Sequence, residues 1–289
     1  SCGGGGDAER DDGRLYVVAT TTMITDLVRQ VGGDHIRLKG LMRPGVDPHL
    51  FEPAPADGIA LREADLIFYN GLMLEGKMTE TLQRKGEKAY ALGDAVPSTR
   101  LKGDAAHPDP HVWGDVSLWE SCVPVVVEAL AEADSDNAEH YRSAGERVVA
   151  EMGELHEWAK VRSALVPEAA RVLITSHDAF EYFGEAYGFR VVGLQGISTV
   201  DEVGIAGRVK LVDFIKENKV RAIFVESSVS PAAIESIAED TGVAIGGELF
   251  SDAMGAPGEI ESGAGENYDV GTYVGMIKHN VNTVVEALK

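Results

Sequence analysis

The sequence predicts an α/β protein: two βα lobes with parallel sheets, joined by one long backbone helix. Three observations carry this expectation. Short apolar, β-branched runs alternate with amphipathic stretches of helical period in both halves of the chain. The alternation restarts after Pro167. Between the halves lies Asn137–Leu165, a long stretch with almost no helix breaker. With 289 residues, 44% of them hydrophobic, two domains of ~100–200 residues each are the natural division. The expected boundaries are a flexible tether over 1–14, an N-terminal lobe over 15–136, the linking helix over 137–166 and a C-terminal lobe over 167–289.

Taken in order, Ser1–Arg14 has glycines and charges but no apolar periodicity, the pattern of a tether. Within it Cys2, followed by glycines and a polar spacer, stands as the acylated cysteine of a mature bacterial lipoprotein does. Two or more acyl chains make a stable anchor. A stray thiol is the plain alternative. Leu15–Thr20 is a β-rich run, and Thr21-Thr22 caps an amphipathic helix over Met23–Val31 that stops at Gly32-Gly33. Ile36–Met42 is a second strand, Ala54–Glu63 a helix, and Leu66–Tyr69 a third strand. A helix over Gly76–Lys85 and a strand at Ala89–Leu92 follow. Leu118–Leu130 reads as largely apolar and helical, with Cys122 a small core residue.

In Asn137–Leu165 the apolar positions Val148, Val149, Met152, Leu155, Trp158 and Ala159 recur at three- and four-residue steps. One helix of about thirty residues would be roughly 45 Å long; two shorter helices broken near Gly153 are the alternative. The second half reads as strands at Arg171–Thr175, Val191–Leu194, Ala222–Val225 and Val243–Ile245, the last closed by a Gly246-Gly247 turn. Helices are expected at Asp178–Tyr187 (capped by Ser176), Gly207–Asn218 and Pro231–Asp240. Glu259–Asp269 reads as a solvated, acidic loop. Trp119 and Trp158 read as packing residues, and His35, His140, His156 and His279 as surface residues.

Charge excludes some functions. With 26 Lys+Arg against 47 Asp+Glu the chain carries −21, which repels phosphate backbones and anionic headgroups. Nucleic acid and a polybasic membrane contact are therefore not expected. No apolar run approaches the ~20 residues of a membrane span. Two cysteines rule out a disulfide scaffold and a Cys₄ zinc site. Neither G-x-G-x-x-G before a helix nor G-x-x-x-x-G-K-[ST] occurs, so nucleotide binding is not expected either.

The chemistry collects at four loop positions. Asp-Pro-His occurs twice, at Asp47-Pro48-His49 and Asp109-Pro110-His111. With 11 Pro and 8 His, a Pro-His pair is expected roughly 0.3 times by composition. Proline fixes the backbone entering each histidine, and Asp47 or Asp109 is placed to accept from the ring nitrogen not used for ligation. His177 stands at the C-terminal end of the first strand of the second half, where α/β sheets place ligands. Its neighbours Ser176 and Asp178 cannot complete a hydrolytic triad, whose members converge from separate segments. Asp252 follows the last strand, although a loop aspartate is by default a solvated charge. Three neutral imidazoles and a carboxylate suit Zn²⁺ or Mn²⁺, and do not suit Ca²⁺ or Mg²⁺. Four protein donors leave no place for an activated water, so such a site carries an ion and does no catalysis.

These segments together resemble the cluster A-I solute-binding lipoproteins of zinc and manganese ABC importers. The resemblance runs through Val17–Ile24, Gly45–Pro53, Ala64–Gly71, Asp109–Trp113, Thr175–Phe183, Ile223–Glu226 and Leu249–Asp252, nearly the whole chain. It implies a metal-receptor type periplasmic binding protein, not an enzyme, with metal ligands at His49, His111, His177 and Asp252. Its partners would be an ABC permease and a separate ATPase subunit. The chain would be monomeric and extracytoplasmic, at the cell surface or in the periplasm, touching the membrane only through Cys2. His177 stands where manganese- and iron-preferring relatives often have Glu, and the segment Ser98–Asp109 is short, with His107 its one histidine before the second ligand. Gly114 replaces a bulky apolar residue and is expected to loosen packing beside His111. Two other classes stay open on the residues: a metal-dependent hydrolase, and an adhesin-like surface protein with a structural metal.

Overall fold

Leu15–Ala19 forms β1, with Val17 and Ala19 in one core cluster and Val18 in another, so both faces of the strand are buried. That is the mark of a sheet covered on both sides. Thr21 caps α1 (Thr22–Gly32) by accepting the Ile24 N–H, and Gly33 ends the helix. With β2 (Ile36–Gly40), α2 (Pro55–Glu63), β3 (Leu66–Tyr69) and β4 (Ala89–Ala91), the first half builds a four-stranded parallel sheet of order β2-β1-β3-β4. The structure, a computed structural model, describes residues 13–104, 106–200 and 204–289. The tether up to Asp12, with Cys2, lies outside these residues.

Several expected elements are shorter or broken, each for a local reason. The helix expected over Gly76–Lys85 is a 3₁₀ turn, Gly76–Met78, leading into α3, Thr79–Gln83. Gly76, at φ +42°, lies against the main chain of His49, where a Cβ would sit 2.8 Å from the carbonyl oxygen. The helix expected over Leu118–Leu130 is split into α4 (Val116–Glu120) and α5 (Val123–Ala133). Pro124 has no N–H to give the Glu120 carbonyl, which breaks the ladder there. Cys122 sits at the break and is fully buried, as expected.

Ala138–Ser163 forms α6, one unbroken helix of 26 residues, ~39 Å long. Its buried stripe, Tyr141, Ala144, Val148, Met152, Leu155 and Ala159, keeps the three- and four-residue spacing. Gly153 causes no break.

In the second half β5 (Val172–Thr175) pairs in parallel with β6 (Arg190–Gly193), and β7 (Ala222–Glu226) with β8 (Ala244–Leu249). The covering helices are α7 (Glu181–Tyr187), α8 (Ile205–Asn218), α9 (Ala232–Thr241) and, after a hairpin, α10 (Tyr273–Leu288). Gly246-Gly247 is not a turn but the middle of β8, at an irregularity in the register beside Ile223 and Phe224. Glu259–Asp269 is not a solvated loop either. It forms the antiparallel hairpin β9 (Ile260–Gly263) and β10 (Glu266–Asp269), turned by Ala264 and Gly265, both at positive φ. His279 ties this hairpin down, with Nδ1 2.6 Å from Glu261 Oε2 and Nε2 2.8 Å from the Glu248 carbonyl. His35, His140 and His156 are likewise half-buried and not free surface residues.

One continuous core joins the halves behind the strand ends. It runs from Val17, Met23 and Trp119 through Tyr141 and Met152 of α6 to Phe224, Tyr273 and Val284, and Trp158 packs on its edge. Such a shared core resists large relative motion of the two halves.

Candidate metal centre

Each half of the chain supplies two of the four expected donors, all from loops. His49 lies in the long connection after β2, and His111 just before a 3₁₀ turn, Val112–Gly114. His177 sits two residues beyond β5 and Asp252 three beyond β8. The folded chain brings all four together, buried, with their donor atoms within 4.8 Å of one another. His111 Nε2 is 3.4 Å from both His49 Nε2 and His177 Nε2. Asp252 places Oδ1 3.3 Å from His111 Nε2 and Oδ2 3.2 Å from His177 Nε2. A tetrahedral ion with bonds of ~2.0–2.1 Å needs donors roughly 3.3–3.4 Å apart. His111 stands at this spacing from each of the other three donors, and the whole set lies within 4.8 Å.

Carboxylates orient two of the rings. Asp109 Oδ1 accepts from His111 Nδ1 at 2.7 Å and from the His111 N–H at 3.0 Å, so Nε2 faces the site. Glu226 stands against His177: Oε1 accepts the His177 N–H at 2.9 Å, and Oε2 lies 2.6 Å from Nδ1 as a close ion contact without hydrogen-bond geometry. No motif in the sequence marks this second carboxylate as a site residue. The available signal was an acid closing an otherwise apolar strand, Ala222-Ile223-Phe224-Val225-Glu226. Asp47 behaves differently from Asp109. It accepts the His49 N–H at 2.8 Å, and its other oxygen accepts from Thr199 Oγ1 at 2.6 Å, so it holds the main chain and not the ring.

Helix α7 begins at Glu181, later than expected, and Ser176 does not cap it. Residues 176–179 are occupied in presenting His177: Thr175 Oγ1 donates to the His177 carbonyl, and Gln195 N–H donates to the Ser176 carbonyl. Gly114 does not loosen the site. It is buried against α7, where a Cβ would meet the Phe183 nitrogen at 3.2 Å. Beside it Trp113 packs edge-on to His111 and donates Nε1–H to the Ser251 carbonyl at 2.8 Å, anchoring the loop that carries Asp252.

The electrostatics of the four residues divide them. Burial drives His49 down to about 4, leaving its imidazole neutral at pH 7. Burial also opposes charge on His111, but hydrogen bonds to Asp109 and Asp252 outweigh it and raise the ring to about 9. Against the same penalty, Asp252 and Glu226 hold His177 well above its ordinary value. Burial would raise Asp252, yet the imidazoles of His177 and His111 hold its carboxyl well below the usual carboxylate range. The centre is thus a buried cluster in which Asp252 favours its charged form, His111 and His177 the protonated form and His49 the neutral one.

This fold and centre define a class. The family model described as the periplasmic component A of a zinc-uptake complex matches residues 17–287, and the chain belongs to that family, made up of solute-binding proteins of ABC transporters and not enzymes. Among individual proteins, it is 40% identical to the manganese-binding lipoprotein MntA of Bacillus subtilis (strain 168), over 100% of this chain and 94% of that protein. It is 41% identical to the zinc-binding protein TroA of Treponema pallidum, over 96% of this chain and 90% of that one. A solved structure of the periplasmic zinc-binding protein TroA from Treponema pallidum superposes with a TM-score of 0.90 at 39% identity, covering 96% of this chain and 99% of that chain.

Proposed function

We propose that this chain is the extracytoplasmic receptor of an ABC importer. It captures Zn²⁺ or Mn²⁺ between its two halves and passes the ion to a membrane permease powered by a separate ATPase subunit. His49, His111, His177 and Asp252 are its ligands, with Asp109 and Glu226 behind them. The observation that carries this reading is the convergence of those four buried donors from opposite halves of one chain. Four protein donors complete a tetrahedral shell, which favours carrying an ion over activating a water on it. The names of MntA and TroA supply the two candidate ions. The lipoprotein name of MntA supports Cys2 as an acylated anchor. All four donors come from one chain, which supports a receptor that works as a monomer. Lobes over 15–136 and 167–289 would close by a small movement about the helix over 137–166, in keeping with the core they share.

Competition titration of chelator-treated protein with both metals, at fixed pH and buffer, tests this. One ion per chain is expected, with zinc held more tightly than manganese as the Irving–Williams order dictates. The metal-free chain should remain folded, with a lower melting temperature, since an ion at 1,000 times its Kd adds only ~4 kcal/mol to an already folded protein. Failure to bind either metal would contradict the reading. Unfolding on chelation would indicate a structural metal instead.

A further inference from the structure

We infer that Thr199 is a positioning residue that sets the rate of ion release, acting through Asp47 on His49. The inference rests on the reading of the four residues as ligands. Those four are not held alike. His111 and His177 keep no exposed surface, whereas His49 keeps 7% and marks the side of the centre nearest solvent. Asp109 and Glu226 clamp the His111 and His177 rings, but among the described residues neither ring nitrogen of His49 pairs with a carboxylate. His49 is thus the ligand freest to swing away, and its restraint is the main-chain bond to Asp47.

Asp47 has a second commitment, to the opposite half of the molecule. Its Oδ2 accepts from the hydroxyl of Thr199 at 2.6 Å, in the connection between β6 and α8. Pro48 stiffens the link between Asp47 and His49, so the tripeptide shifts as a unit. Several bonds between the halves are buried, among them Trp113 to the Ser251 carbonyl, the Met254 N–H to Thr22, and Tyr273 to the Trp113 carbonyl, while the Lys102 N–H to Tyr182 hydroxyl bond is part-buried. The Asp47–Thr199 bond is only part-buried, and it can open without disturbing the shared core. While it is closed, the loop carrying His49 is tied to the opposite half and His49 stays beside His111. Once it opens, the Asp-Pro-His unit is free to withdraw its imidazole.

The test is chelator-driven release of zinc from the loaded full chain, followed by stopped flow. Thr199→Val and Thr199→Ala, which remove the hydroxyl, are expected to release zinc about tenfold faster, the scale of one hydrogen bond to a carboxylate. Capture rate should stay within about twofold, and the metal-free melting temperature should fall by no more than about 2–4 °C. Thr199→Ser keeps the donor and should restore release to near the wild-type rate. Release at the wild-type rate in Thr199→Val and Thr199→Ala, or fast release in Thr199→Ser, would overturn the inference while leaving the ligand assignment intact. A wild-type chain that retains no zinc would overturn both.

Discussion

Replacing Asp252 with alanine is expected to weaken zinc binding by about a thousandfold. The carboxylate is the one anionic donor of the four and is fully buried between His111 and His177. Without it, a doubly charged ion would sit among three neutral rings in a dry pocket. Removing one partner of a buried charge pair costs ~3–5 kcal/mol, which spans a factor near a thousand. Part of the loss is offset, because His111 and His177 owe their raised protonation partly to Asp252 and would shed protons more readily without it. Asp252→Asn, which keeps an oxygen donor but no charge, should fall between the two. Titration against a chromophoric chelator measures this, and a change of less than about tenfold would mean that Asp252 is not a ligand.

Ion capture near pH 7 should release about two protons, and affinity should climb steeply with pH. His111 is raised to about 9 and His177 is raised well above its ordinary value, while His49 is depressed to about 4. At neutral pH the ion must therefore displace the Nε2 protons of His111 and His177 but none from His49. Two displaced protons correspond to roughly a hundredfold in affinity per pH unit, and one to roughly tenfold. The metal-free fold responds in the opposite sense. A histidine raised on folding stabilises the protein fully below its unfolded value near 6.5, and that contribution is lost as pH rises through the folded value. For His111 the window is about 6.5 to about 9. Asp252, depressed on folding, contributes above its ordinary value of 3.8 and stops contributing as pH falls through its lower folded value. Calorimetry in buffers of differing ionisation enthalpy counts the protons. A count of zero at pH 7 would show that the two rings are not protonated ligands.

Much of this was legible in the residues, and the misses share a cause. The alternating runs placed the strands because burial on both faces demands continuous apolar residues, and the spacing of Val148, Met152, Leu155 and Ala159 showed α6. His49 and His111 stood out because one tripeptide recurs, and His177 because a strand end is where such sheets bind ligands. Asp252 had no local signature. What distinguishes it from a solvated loop acid is its distance from His111 and His177, a tertiary fact. Glu226 and Thr199 are hidden for the same reason, each acting on a ligand loop far away in sequence. Helix starts were misplaced where the site intervenes: residues 176–179 present His177 and do not begin α7. Gly114 was read as a gap because the residue facing it, Phe183, lies 69 residues further along (183 − 114).

The central claim is that His49, His111, His177 and Asp252 together hold the transported ion. Anomalous scattering at the zinc edge from crystals of the loaded protein tests it most directly. The expected result is one zinc per chain, bonded at ~2.0–2.1 Å to the three Nε2 atoms and to an oxygen of Asp252, with no water in the shell. An ion bound elsewhere, or one held here by fewer protein donors with water completing its shell, would contradict the account.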